Sequence, residues 1–261
     1  MLALHSFKTL APTFLSLALL CGCAIEGSGH IETIDPELQG DIQELKVHSG
    51  LHATITQGKK RSLRITGDDN LLEELVVRES QGTLEIGFPD SLSGYRPTQP
   101  IVVEASLPIA TQFSSSGGGH LILKDTFKGD DFSFDISGGG KLVAEDLRAT
   151  SVFLDQSGGG SARLSDLDVE TVLIDSTGGG EVRLTGQTSE LEAEVSGGGR
   201  LEALELQAKS VTLDLSGGSD AKVHATSSLR AHVSGGGSVT YRGKPKTIEK
   251  DLSGGSELKP E

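Results

Sequence analysis

The chain has 261 residues, with 23 Lys and Arg against 37 Asp and Glu, a net charge of −14, no Trp, two Tyr and 35 Gly. So acidic a surface repels polyanions, which excludes nucleic acid and anionic lipid headgroups as partners attracted by the chain's overall charge. The scarcity of aromatic residues leaves few platforms for sugar rings and little bulk for a core.

The first element is "MLALHSFKTLAPTFLSLALLCGC", residues 1–23, which has one Lys, one His and no acid. Residues 1–22 read as an export signal, because the apolar run Phe14 to Leu20 is shorter than the roughly 20 residues a spanning helix needs. "LCGC" resembles the bacterial lipobox, with Leu20 three residues upstream of Cys23 and small Gly22 directly before it. Cys23 is therefore the expected lipidation site and the first residue of the mature chain. Cys21 fits poorly behind bulky Leu20. Ordinary signal cleavage with incidental cysteines is the plainer alternative. Since the sequence has no further Cys, the mature chain is expected to use neither a disulfide nor a thiol nucleophile. The expected location is extracytoplasmic, held by lipid at a bacterial outer membrane.

Residues 23–40, with "GSGHIETID", read as a tether. Residues 41–110 alternate apolar and polar in "HATIT", "SLRIT" and "TLEIGF", with turn signals at "QGKK" and "GDDN". This region is expected to be β, as irregular early coils or as a lobe capping the unpaired edge of the first repeat.

Residues 111–261 repeat. The first glycine of a Ser/Thr-Gly-Gly element falls at Gly117, Gly138, Gly158, Gly178, Gly197, Gly217, Gly235 and Gly254, a beat of 18 to 21 residues. A hydroxyl precedes it every time, from Ser116 to Ser253. Four residues before it stand Phe113, Phe134, Leu154, Ile174, Ala193, Leu213, Ala231 and Lys250; four after it, Leu121, Leu142, Ala162, Val182, Leu201, Ala221, Val239 and Leu258. Apolar residues thus alternate with period two on both sides of each turn, which is strand periodicity. A unit of about twenty residues cannot bury its own apolar face, so it stacks on its neighbours. The expected fold is all-β, a right-handed parallel β-helix. Eight coils about 4.8 Å apart make a rod on the order of 35 to 40 Å long. A left-handed hexapeptide helix would keep an 18-residue beat more strictly. The glycines serve corners where the backbone needs positive φ and side chains would collide. Gly159, mid-stack, is expected to be such a position, whereas Ser219 and Ser256 mark the third slot as the least demanding.

The phrases "GLHATITQG", "RITGDDNLL", "GTLEIGF" and "SSSGGGHLIL", in that order, resemble the bacterial family called the putative autotransporter adhesin head, or GIN, domain, over roughly Ile42 to Leu258. The resemblance implies an exported, often lipid-anchored β-helix of pectin-lyase-like shape that lacks the catalytic residues of those enzymes, with adhesion as its suggested role. Triple glycine replaces the family's frequent Gly-Ser-Gly. The family supplies no site residue to transfer.

Three residues before each first glycine stand Ser114, Asp135, Asp155, Asp175, Glu194, Asp214, His232 and Asp251, and stacking places the five consecutive acids Asp135, Asp155, Asp175, Glu194 and Asp214 in one outward line. At about 4.8 Å, two such charges repel by ~1 kcal/mol in water. The line reads as a solvated acidic face, with a divalent-cation site as the alternative. The GGxGxD calcium pattern is absent, because these acids precede the glycines. Phe153 and Leu173, five before the glycine, break an otherwise polar outward column; they mark a partner contact or a surface packed under the N-terminal region. No phosphate-binding GxxxxGK[ST] follows a strand, and no Ser-His-Asp set or ligand spacing of His can be assembled. No cofactor is expected.

These readings converge on a lipid-anchored, non-catalytic binding surface, an adhesin, whose partner is an envelope or extracellular polysaccharide or protein. The alternatives are a polysaccharide-active enzyme of pectin-lyase-like shape, which would need a basic residue facing the acids, and a periplasmic scaffold.

Overall fold

The computed structural model describes residues 24–261, so the export signal, Cys21 and Cys23 lie outside the described residues. Each repeat lays down two strand faces, a leading one before the glycine turn and a trailing one after it. Asp131–Gly138 is a leading strand; Lys141–Gly158 is the trailing strand of the same coil and runs round the next corner into the following leading strand. Pairing between coils is parallel and in register: Phe134 lies opposite Leu154 and Leu154 opposite Ile174, and Gly138, Gly158 and Gly178 stand in line. The chain is a parallel β-solenoid with the repeat spacing that its sequence carries.

The core runs up the inside of the two faces. Phe113, Phe127, Phe132 and Phe134 are fully buried in its early coils, where the Phe113 and Phe134 rings stack at 5.7 Å and Phe113 meets Phe127 edge to face at 6.0 Å. Farther on, the columns thin to Leu, Val and Ala, and volume is balanced across each coil. Leu154 shares its coil with Ala162, Ala193 with Leu201, and Leu213 with Ala221, all buried.

Residues 41–110 form the first layers of the same stack, laid out of chain order. On the leading face Glu44–Val47 lies between Thr83–Gly87 and Gln112–Ser115. On the trailing face His52–Thr56 lies between Val102–Ser106 and His120–Lys128. Beyond this outermost layer the pairing turns antiparallel: Val76–Ser80 on Thr83–Gly87, Ser62–Asp68 on Val102–Ser106, and Ile31–Ile34 on Ser62–Asp68. These strands terminate the ladder, so this end of the rod is capped.

The lead segment is not a free tether once past its first residues. Ile25–Glu26 pairs with Tyr95–Arg96, and the Asn70 side chain donates to the Glu26 carbonyl at 2.9 Å. Asp68, which is inaccessible to solvent, accepts hydrogen bonds from the Gly29 N–H at 2.8 Å, the Thr98 N–H at 2.9 Å and the Thr98 hydroxyl at 2.7 Å. The Thr98 hydroxyl, followed by these N–H groups, holds the Asp68 carboxyl below the usual Asp range. Composition alone made "GSGHIETID" look flexible; partners about forty residues away in sequence supply the backbone bonds that order it.

The glycine turns also differ from expectation in which slot is demanding. Gly158 has φ +102°, and a Cβ there would lie 2.7 Å from the Gly138 carbonyl oxygen of the coil before. Gly159 has open space around it. The third slot is tight as well, since a Cβ at Gly160 would lie 2.5 Å from the Gly140 oxygen. The crowding varies with the coil, the nearest backbone atom to a Cβ being 3.5 Å away at Gly199, and Ser219 occupies the slot with its hydroxyl donating to the Ser216 carbonyl at 2.9 Å. Gly158→Ala should therefore cost about 1–3 kcal/mol, the usual range for a side chain forced into a sparsely populated backbone region. Gly159→Ala should be nearly neutral. Urea unfolding of the two variants checks this, and equal midpoints would contradict it.

One inward position is misfitted. Gln156 is 0% exposed in a column that holds Ile136, Val195 and Leu215 and, as its other polar members, the small buried Ser115 and Ser176. Its Nε2 donates to the Gly160 carbonyl at 2.7 Å, while its Oε1 has no hydrogen-bond partner among the described residues. An orphaned buried acceptor costs about 1–3 kcal/mol, against about 1 for the bond that would be lost. Gln156→Met should raise the melting temperature by a few degrees; a lower one would show that the amide is fully satisfied.

Candidate functional site

The outer side of the leading face is built from three polar columns. Strand alternation sends every second side chain outward, and in-register pairing then repeats each outward position from coil to coil. Asp135, Asp155 and Asp175 pair in line, followed by Glu194 and Asp214. The hydroxyls Ser137, Ser157, Thr177 and Ser196 form a second column on the side of the glycine turn. Ser133, Phe153, Leu173, Glu192 and Thr212 form the third.

The acid line has definite ends. Lys46 pairs in register with Ser114, which precedes Asp135, and Glu85 stands beyond Lys46. At the other end Asp214 is followed by His232, whose Nδ1 lies 3.1 Å from Asp251. Among the described residues none of the five acids makes an ion pair. Between those ends no base neutralises the line.

Asp155 carries the consequence. Burial, and then the neighbouring charges of Asp135 and Asp175, raise its carboxyl above the usual Asp range. The five acids project side by side, one per coil, and do not converge. Among the described residues no group of three or more acidic, His or Cys side chains is placed to hold a metal ion. A parallel ladder gives parallel side chains, whereas a cation needs several oxygens aimed at one point.

Phe153 and Leu173 are adjacent in register on the outer side, Phe153 being 41% exposed and Leu173 half-buried. The N-terminal layers stack on the end of the rod and not over its side, so they do not cover this pair. The result is an apolar spot flanked by carboxylates.

Sequence reading missed the capped end of this face. A cavity of about 350 Å³ there is lined by Lys46, His48, Glu85, Ser114 and Asp135, among others. Glu85 lies 3.4 Å from His48 and 3.5 Å from Arg78, and Lys46 lies 3.1 Å from Glu44, so its charges are largely satisfied internally. Lys46 belongs to the acid column's register, but its turn, Ser49-Gly50-Leu51, lacks the triple glycine. Ser49 takes positive φ (64°) itself, and the Tyr95 hydroxyl donates to its carbonyl. The alternation in "ELKV" and "HATIT" was the available signal.

Such a face can accept hydrogen bonds and attract cationic or hydroxyl-rich partners. Its pH response follows from Asp155. With a folded value raised above the ordinary 3.8, the stability this residue contributes is fully present below 3.8 and is lost as pH rises through the folded value. Asp155→Asn should therefore melt above the native chain at pH 7, with the gap closing toward pH 4. Thermal unfolding across that range is the check; a constant gap would mean that the Asp155 carboxylate is not destabilised by its surroundings.

A family described as "Putative auto-transporter adhesin, head GIN domain" matches residues 41–245, most of the chain. The chain belongs to that family. No curated protein matches it. Among solved structures, a "putative lipid binding protein" from Parabacteroides distasonis is 22% identical with a TM-score of 0.87, covering 92% of this chain and 100% of that one. A "putative adhesin" from the same species is 19% identical with a TM-score of 0.85, again covering 92% and 100%. A "putative adhesin" from Parabacteroides merdae is 19% identical with a TM-score of 0.85, covering 91% and 99%. At these identities the likeness is one of fold.

Proposed function

We propose that this member of the GIN-domain family is a cell-envelope adhesin, a rod anchored by lipid at Cys23 that binds through its leading face without catalysis. The observation that carries the reading is the Phe153–Leu173 pair set beside an unneutralised acidic column. An exposed aromatic beside hydrogen-bond acceptors is the makeup of a contact surface. The family's description and the "putative adhesin" names of similar structures point the same way. The enzyme alternative asks for a base facing the acid line, and Lys46 and His232 stand only at its ends. The partner class is a polysaccharide or protein of the envelope or the cell exterior.

Two measurements test this. Phe153→Ser with Leu173→Ser should leave folding intact, because both side chains face out, and should abolish attachment of cells that display the protein to a glycan- or matrix-coated surface. Retained attachment would remove the leading face from the proposal. In cell fractions washed at high salt, Cys23→Ser should lose membrane association while Cys21→Ser keeps it; equal retention would remove the anchor.

A further inference from the structure

The turn between His52–Thr56 and Ser62–Asp68 carries Lys59, Lys60 and Arg61, all exposed. With the segment after Val102–Ser106 it rims a cavity of about 510 Å³ at the capped end of the rod. Buried Ile42 and Leu107 form its floor, and Ile109 stands at the rim, 45% exposed. Arg61 is engaged, donating from Nε to the Leu38 carbonyl at 3.0 Å and lying 3.4 Å from Asp41. Among the described residues Lys59 and Lys60 make no ion pair. Asp41 also lines the cavity and is the carboxylate that Arg61 approaches, which leaves two unpaired cations, Lys59 and Lys60, over an apolar floor.

We propose that this cavity takes the phosphate headgroup of an anionic membrane lipid, with Lys59 and Lys60 on the phosphate and Ile109 entering the acyl boundary. Position supports it. Ser62–Asp68 runs roughly 23 Å at the usual rise per residue, from the cavity to Asp68, where Gly29 and the chain's N-terminal lead are clasped. Cavity and lead therefore share the outermost layers of one end. With only Ala24 between Cys23 and the docked strand Ile25–Glu26, lipid at Cys23 would bring that end to the bilayer. The proposal rests on the anchoring reading for this orientation. The chain's overall negative charge does not oppose it, because fields are screened beyond about 8 Å at physiological salt. In the lining itself Lys59, Lys60 and Arg61 outnumber Asp41, so a headgroup at the cavity mouth meets a net positive local charge.

The test uses the mature chain carrying Cys23→Ser, which has no lipid, so that failure of the surface and failure of the anchor are separable. Sedimentation with phosphatidylglycerol vesicles at low salt should exceed that with phosphatidylcholine at least tenfold. Each Lys near an anionic surface is worth about 1 kcal/mol, roughly fivefold, so Lys59→Glu with Lys60→Glu should remove at least 25-fold. Ile109→Ser should weaken binding without changing its salt dependence, and Lys141→Glu, on the trailing face, should leave it unchanged. Equal binding to the two lipids, or undiminished phosphatidylglycerol binding by the double Lys variant, would overturn the proposal. So would tight binding of soluble glycerol phosphate without vesicle binding, because it would make the cavity a site for free phosphate esters.

Discussion

In-register parallel pairing between coils is the constraint on which everything else in this molecule depends. It aligns each residue with its counterpart one repeat away, so a choice made once is made again every ~4.8 Å. An apolar inward position therefore becomes a core column, and an acidic outward position becomes a line of mutually repelling carboxylates. The first glycine of each turn is fixed for the same reason: the carbonyl of the coil below occupies the space that a Cβ would need. Because the columns leave no room for bulk at every level, size has to be balanced within each coil, as Ala193 with Leu201 and Leu213 with Ala221 show.

A stack that pairs so readily needs its two ends stopped, and they are stopped differently. The N-terminal end switches to antiparallel strands, which another parallel coil cannot extend in register. At the C-terminal end, among the described residues, no antiparallel strand covers Thr247–Leu252 and Glu257–Pro260. There the core column that holds Ala231 continues with Lys250, and Tyr241 is followed by Pro260. Pro removes a ladder donor, and an inward-column charge cannot be buried by a further coil. If two such ends met about a two-fold axis, same-side pairing would set Lys250 against its own copy, or Glu249 against its own. Like charges directly opposite disfavour both registers.

The repeat, its strand character and the direction of Phe153 were all legible in the sequence, because periodicity reports which side of a strand a residue occupies. What escaped it was non-local. Nothing in the order of residues 44–106 tells that Glu44–Val47 is inserted between two strands that come later in the chain. The docking of Ile25–Glu26 depends on Tyr95–Arg96, and the Asp68 clasp on Thr98, pairings set by chain closure and not by local composition. Ser49 hid a turn by taking the conformation that glycine takes elsewhere. The slot hierarchy within the triple glycine was misread for a related reason. Ser219 suggested a permissive position, when its hydroxyl had found one local acceptor in a slot that is otherwise crowded.

In a molecule ruled by columns, function is written in the departures from them. A residue that matches its column is accounted for by stacking, whether it is Leu154 inside or Ser157 outside. Phe153 and Leu173 in a polar column, bulky Gln156 in a column of apolar residues and small serines, and three successive bases on an acidic chain are not accounted for in that way. Gln156 faces inward and bears on stability alone. The other two lie on separate surfaces, one on the side of the rod and one at its capped end. Their charges are opposite, and screening lets each act independently over about 8 Å. Under the proposed reading, the basic turn Lys59–Arg61 at the capped end meets the membrane while the acidic side of the rod stays available. No moving part is required, because the geometry that separates the two surfaces is the same coil-to-coil pairing that builds the fold.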